Sequence, residues 1–400
     1  MINPSTFGWI EKFFNKHKND FKAYENDIHE FYDDLRKSGF IYGYSVSIPM
    51  NKTVNTEGLS QDEVTKIALL NALFHTFKLV KKSINPNEFA TEVKNFYKSI
   101  QRGNYNFLKT IFPSESDFSK LETIFDNRIQ TNSNFISKNF SHIITNALLF
   151  IDVLAFHSYL IHGELSNKYL KDFENNCIKI VSLAFQVKEK KTKYDELLLK
   201  LFENSLRYTK LNAIENLKID SLQLTPISFE IEKLYLLDIT QMALWSDEKL
   251  EISEISFLHQ IARKLGVSEI NVQKSSQEIT SFILEHKNEI PYFNFSNPVK
   301  HFYDQTNKSV SKLINRNKKR LVKEISQSKE LMILLTKSTT RDLNEVEKKK
   351  VKKQLLDICK TIPSLTIFLL PGGGILLPIL IKYIPQLLPS AFNENLEEEN

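Results

Sequence analysis

Four hundred residues, 42% hydrophobic and 25% charged, are enough for two or three domains with a sizeable core. A net charge of +5 is too small to argue by itself for nucleic acid, and two cysteines far apart in sequence, Cys177 and Cys359, exclude a disulfide framework or a cysteine metal or redox spacing and fit a reducing cytoplasm. Ten glycines, three of them consecutive at 372–374, with long periodic segments rich in Leu, Ile, Lys and Glu, predict an all-α chain. The first twenty residues lack a basic stretch followed by an apolar core, so no signal peptide is expected.

Residues 1–38 read as two helices, one with an apolar stripe of Phe7, Ile10, Phe13 and Phe14, the other with Ile28, Phe31, Tyr32 and Leu35. The first would serve as a membrane-surface helix only if its polar face were strongly basic, which it is not, so packing on its own domain is preferred. Residues 39–58, with Gly39, Gly43, Pro49 and Gly58, should be irregular or briefly extended. Ser60 to Glu63 has the form of a capping box, with Leu59 before it, and opens a helix to about Lys82. Asn85-Pro86 breaks that helix, the next runs from Glu88 to about Gln101, and shorter helices are expected over 103–128, around Pro113.

A long helix follows from about Asn132 to His162. Its second half is apolar enough to resemble a membrane span, yet it carries Asp152, Asn146, His157 and His162. A charge at the centre of a span costs about 3 kcal/mol, so a buried core helix is expected. His157 and His162 are five apart and do not share a helix face as i, i+4 ligands would. Residues 167–218 read as two more helices flanking the solvated run at 188–193, and Thr225-Pro226 marks a domain boundary. Residues 1–225 contain no nucleophile–base pair, glycine-rich phosphate loop or zinc spacing, so no enzyme is expected.

Residues 229–286 have a tighter pattern. An apolar helix ends at Ala243-Leu244-Trp245, an acidic turn follows at 246–249, Leu250 returns to the core, and a second helix spans about Ser253 to Leu265. Gly266 suits a left-handed cap and Ser268 starts a third helix. With Asp247, Leu250 and Glu254 in place and Glu251 nearby, this stretch resembles the TerB-like (tellurite-resistance) helical domain, although Glu248 stands where that family has glycine. Oxygen ligands from Asp247, Glu251 and Glu254 could hold Ca²⁺ or another hard cation. Alternatively Asp247 caps its turn and the glutamates favour a helix N-terminus. Residues 148–176 faintly repeat the layout, with Asp152 and Glu164 as the acids.

From 297 to 353 the chain turns basic, with Lys318, Lys319 and Arg320 in one cluster and Lys348, Lys349, Lys350, Lys352 and Lys353 in another. Nucleic acid is one class of partner for such clusters. A bilayer with anionic headgroups explains their position better, because they precede an apolar run and would stay on the cytoplasmic side.

That run, 361–381, is 21 residues long, about 31 Å if continuously helical and so close to a bilayer core. It is interrupted. Pro363, Pro371, Pro378, Pro385 and Pro389 punctuate residues 361–389, Gly372, Gly373 and Gly374 break the middle, and Lys382 is the single charge. Prolines 371, 378 and 385 free the carbonyls of Ile367, Gly374 and Ile381, which lipid cannot satisfy. A kinked single span, a re-entrant hairpin and a buried helical pair in a soluble core remain the alternatives.

The proline register, closed by LLPSAF, resembles the membrane segment of the LETM family (leucine-zipper, EF-hand, transmembrane). The likeness extends upstream through Leu343, Glu347, Lys348, Lys349, Asp357, Lys360 and Pro363 and on to Ser390 and Phe392, about 50 residues in all. In the family an acidic residue stands three after the second proline, where this chain has Gly374. The family also has a ribosome-binding-like domain and an EF-hand. The resemblance implies a bacterial LETM-related protein of the inner (cytoplasmic) membrane, also called LETM-related biofilm-associated protein, with its bulk in the cytoplasm and a role in cation homeostasis or envelope and biofilm physiology. By the same resemblance a ribosome or another membrane protein becomes a partner. Transport would need several copies, since one broken helix cannot enclose a water-filled path, and Asp357 would then be the nearest acid for a cation. The alternative is a tethered cytoplasmic scaffold whose TerB-like part binds a cation or a protein, without transport. The expected domains are 1–225, 226–295, a basic linker at 296–345, the membrane segment at 346–392 and an acidic tail at 393–400.

Overall fold

A computed structural model describes residues 2–18, 20, 27–101, 116–129, 135–166, 168–188, 219, 222–225, 227–245, 250–287, 289–290, 311–362 and 365. Among these the chain is all-α, with one 3-10 turn at Phe40–Tyr42 and no strand. It divides into two compact units, the first Met1–Thr56, Gln61–Asn132 and Asn139–Pro298, the second Glu57–Ser60, Ser133–Lys138 and Val299–Asn400.

The first unit contains α1 (Trp9–His17), α2 (Ile28–Lys37), α3 (Gln61–Lys81), α4 (Pro86–Gln101), α5 (Asp117–Ile129), α6 (Phe135–His162, from Asn139 on), α7 (Tyr169–Val187), α8 (Glu230–Leu244), α9 (Ile252–Leu265) and α10 (Glu269–His286). Local chemistry sets several ends. Asp27 caps α2 by accepting from the His29 N–H at 2.8 Å. Pro86 takes the first position of α4, where its missing N–H costs nothing, and Asn85 Oδ1 accepts from Asn87 N at 3.0 Å. Gly266 closes α9 with φ 65°, and Ser268 caps α10 through the Asn271 N–H.

At the centre lies α3, buried from Glu63 through Lys78. Its Phe74 meets Phe14 of α1 at 4.9 Å and Phe89 of α4 at 5.1 Å, edge to face. Phe150 of α6 touches Tyr32 of α2 at 6.1 Å and Tyr235 of α8 at 4.9 Å. Phe7, assigned to the stripe of α1, is instead 76% exposed because it precedes the helix, which begins at Trp9.

Two buried ion pairs of the same design stitch this unit. Arg36 donates Nε to Asp238 Oδ2 at 2.8 Å and Nη2 to Oδ1 at 3.0 Å, while the Tyr32 hydroxyl donates to Oδ2 at 2.7 Å. Arg128 grips Asp152 with the same fork, its Nε at 2.7 Å, and the Tyr97 hydroxyl donates at 2.9 Å. Asp152, the residue that argues against a membrane span in α6, is therefore a neutralised core group, 0% exposed. The boundary expected at 225 falls inside this unit, because α8 packs on α7 and α10 packs on α2.

The second unit contains α11 (Lys318–Ser326), α12 (Lys329–Thr340) and α13 (Glu345–Thr361), each packed on the other two. Leu321 and Ile325, then Leu331, Leu334 and Leu335, then Val351, Leu355 and Cys359 form the apolar contact. Ser328 caps α12 through the Leu331 N–H at 3.2 Å, and Asn344 with Glu347 forms a reciprocal capping box on α13.

Among the described residues no helix is long and apolar enough to cross a membrane. The expected span falls, apart from Thr361, Ile362 and Leu365, outside the described residues. So do Pro363, Pro371, Gly372, Gly373, Gly374, Pro378, Lys382, Pro385 and Pro389, the segment at 102–115 with Pro113, and the second helix expected before 218.

Candidate functional site

The exposed surface of α13 is patterned. Its buried stripe is Val351, Leu355, Cys359 and Ile362. At about 100° per residue, Val346, Lys349, Lys353, Leu356 and Lys360 lie along an edge facing away from that stripe, with Lys352 on its flank. The four lysines are exposed, Val346 is 66% exposed and Leu356 is half-buried.

Ion pairing divides the basic residues into two sets. Lys350 donates to Glu330 of α12 at 2.7 Å, Lys348 to Glu345 at 3.1 Å and Lys360 to Asp357 at 2.6 Å. Arg341 forks onto Glu347, donating at 2.6 and 2.8 Å; that fork, helped by the Asn344 N–H, pulls the Glu347 carboxyl down to about 2. The hydrogen bond from Lys350 lowers Glu330, and that from Lys360 lowers Asp357. Glu330, Glu347 and Asp357 therefore stay ionised and occupy their partners. Lys349, Lys352 and Lys353 form no ion pair among the described residues, nor do Lys318 and Lys319 at the start of α11. The outer edge of α13 carries the charge left over.

One residue of the first basic cluster, Arg320, reaches the C-terminal end of α13, the helix that carries the second. Arg320 Nη2 donates to the Thr361 carbonyl at 2.9 Å. This satisfies one of the orphan carbonyls of the last turn and sets a cation at the negative end of the helix dipole. Thr361 is also where the apolar run begins.

Three of the four candidate cation ligands, Glu251, Glu254 and Asp357, lie among the described residues. Asp247 lies outside the described residues. Glu254 accepts the Glu251 N–H at 2.8 Å, and the pair forms the capping box of α9. Asp357 is 54% exposed and tied to Lys360. Among the described residues no group of three His, Cys, Asp or Glu side chains is arranged to hold a metal. His157 packs edge-on against Phe229 at 4.7 Å, and burial, with His162 nearby, lowers its pKa to about 4. His162 Nδ1 lies 3.0 Å from the Ser158 carbonyl.

Counting lysines along the sequence misses three participants: Val346, Leu356 and the Arg320–Thr361 bond. Tracing the helical period through Lys349, Lys353 and Lys360 would have found the first two. The bond spans 41 residues and needs the fold.

Fold and surface together define an all-α protein with a basic helical hairpin next to an apolar, proline-punctuated terminus. A family model described as LETM1-like, RBD, matches residues 343–400, so this part of the chain is LETM1-like, as the proline register and the stretch from Leu343 imply. The matched model is the RBD one, and it covers the stretch assigned above to the family's membrane segment. Comparison with curated proteins and with solved structures gives no match.

Proposed function

We propose that the chain is a non-enzymatic, LETM-related protein held at the cytoplasmic face of the inner membrane. Its run at 363–389 sits in the bilayer, and the unpaired lysines of α13 rest on anionic headgroups. The observation that carries this reading is the Arg320–Thr361 bond, which sets one basic cluster at the residue that opens the apolar run, while the unpaired lysines of the other lie on the helix leading to it. Juxtamembrane lysines are drawn to anionic leaflets. A part in cation homeostasis or envelope physiology follows from the family likeness. The tethered-scaffold form of the reading is favoured over transport, because Glu251 and Glu254 are engaged as a helix cap and Asp357 as a salt-bridge partner. The TerB-like region, α8 to α10, would then be the partner-binding body.

A second reading takes the same lysines as a ribosome contact; the match to an RBD model favours it. One experiment separates the two. Purified full chain is floated with vesicles containing phosphatidylglycerol and with neutral vesicles, at low and high salt. Flotation that is stronger on anionic vesicles and only partly removed by salt supports the membrane reading. Absence of flotation on both, with co-sedimentation on ribosomes, would replace it.

A further inference from the structure

Resting on that membrane reading, we propose that α13 is itself a surface-lying lipid contact, separate from the apolar run that follows it. The helix lies along the bilayer plane on one edge, with Lys349 and Lys353 over lipid phosphates and Val346 and Leu356 entering between headgroups.

Three observations combine. The edge is mixed: Val346 and Leu356 alternate with lysines at helical spacing, the composition of an interfacial helix and not of a merely solvated face. Val346 is 66% exposed on the first turn of α13. Charge is segregated: Glu330, Glu345, Asp357 and Glu347 pair with Lys350, Lys348, Lys360 and Arg341, leaving Lys349 and Lys353 on this edge, and Lys352 beside it, without an ion pair among the described residues. Finally, the edge spans from Val346 to Lys360, about 21 Å at 1.5 Å per residue, and ends one residue before Thr361, where the apolar run begins. A long lysine stem can lie along the acyl boundary while its ammonium stays with the phosphates. The partner is therefore an anionic phospholipid surface, recognised by phosphate together with an apolar boundary. Free phosphate would satisfy the lysines but not Val346 and Leu356.

The test uses the full chain. Cys177 and Cys359 are both 0% exposed, so a thiol-reactive environment-sensitive dye reports single introduced sites. Val346→Cys probes the edge, and Gln327→Cys, in the exposed turn between α11 and α12, is the control. With phosphatidylglycerol vesicles the dye at 346 should shift to the blue and be quenched by acyl-brominated lipid, while the dye at 327 stays aqueous. Lys349→Gln/Lys353→Gln, which changes only exposed side chains, should weaken vesicle affinity about 30-fold, given roughly 1 kcal/mol per lysine near an anionic surface. If the chain floats but the dye at 346 remains aqueous, or the double variant binds like the parent, the surface contact is overturned while membrane attachment stands. If the chain does not float, both fall.

Discussion

Asp238 offers the sharpest test of how the first unit is held together. Its carboxylate is 1% exposed and accepts four hydrogen bonds, from Arg36 Nε and Nη2, the Tyr32 hydroxyl and the Ser275 hydroxyl. Arg36 is itself 2% exposed, and despite burial the adjacent carboxylate holds its pKa above the ordinary arginine value. Asp238→Ala would leave the buried guanidinium with only the part-exposed Asp33 carboxylate, 3.3 Å from Nη1, as counter-charge. Breaking one side of such a pair costs about 3–5 kcal/mol, which at about 2–4 °C per kcal/mol for a unit of this size lowers the melting temperature by about 6–20 °C. Arg36→Met combined with Asp238→Leu should recover part of the loss, since no charge remains. Tyr32 and Ser275 would still lack their acceptor, at about 1–3 kcal/mol. Thermal and urea denaturation followed by circular dichroism gives both numbers. A single variant within about 1 kcal/mol of the parent, or a double variant as damaged as the sum of the singles, would refute the reasoning.

Burial, with a smaller contribution from Lys78, lowers the His75 pKa to about 3, below its unfolded value of 6.5. The unfolded chain then binds a proton that the folded chain does not, so stability is full above pH 6.5 and falls steadily from there toward pH 3. His75→Leu should flatten that slope, and an unchanged slope would remove His75 as its source. Gly39→Ala should cost well over 1 kcal/mol, because φ is 75° and an added Cβ would lie 2.2 Å from the Tyr44 carbonyl and 2.4 Å from the Phe282 ring. A near-neutral melting curve would contradict that packing. Burial raises both thiols, Cys359 to about 12; neither should react with a water-soluble maleimide until the chain is denatured, and rapid labelling of the native protein would argue against the core described.

Where the sequence was legible, the chemistry was local. Asn85-Pro86, Gly266 and Ser268 mark helix ends through bonds only a few residues long, so the ends of α4, α9 and α10 could be read directly. The 3.6-residue period likewise gave Phe13 and Phe14, and Phe31, Tyr32 and Leu35, as core. What could not be read depends on distant partners. Arg36 and Asp238 are separated by 202 positions, and nothing around either residue names the other. That pairing ties α8 to α2 within the first unit, across the boundary expected at 225. The acidic pattern near Asp247 was ambiguous for a related reason: Glu254 suits a cation ligand and a helix cap equally by spacing, and its bond from the Glu251 N–H is seen only in the fold. The lysine clusters were visible as composition, but which lysines are spent on acids depends on Glu330, one helix away.

Membrane residence of the terminus is the claim on which the functional account stands, and alkaline carbonate extraction of membranes from cells making the full chain tests it most directly. A bilayer-embedded run at 363–389 keeps the protein in the pellet after the wash, whereas a surface association alone is stripped. Recovery in the pellet is the predicted result. Complete release into the supernatant, with the protein staying monodisperse without detergent, would contradict it.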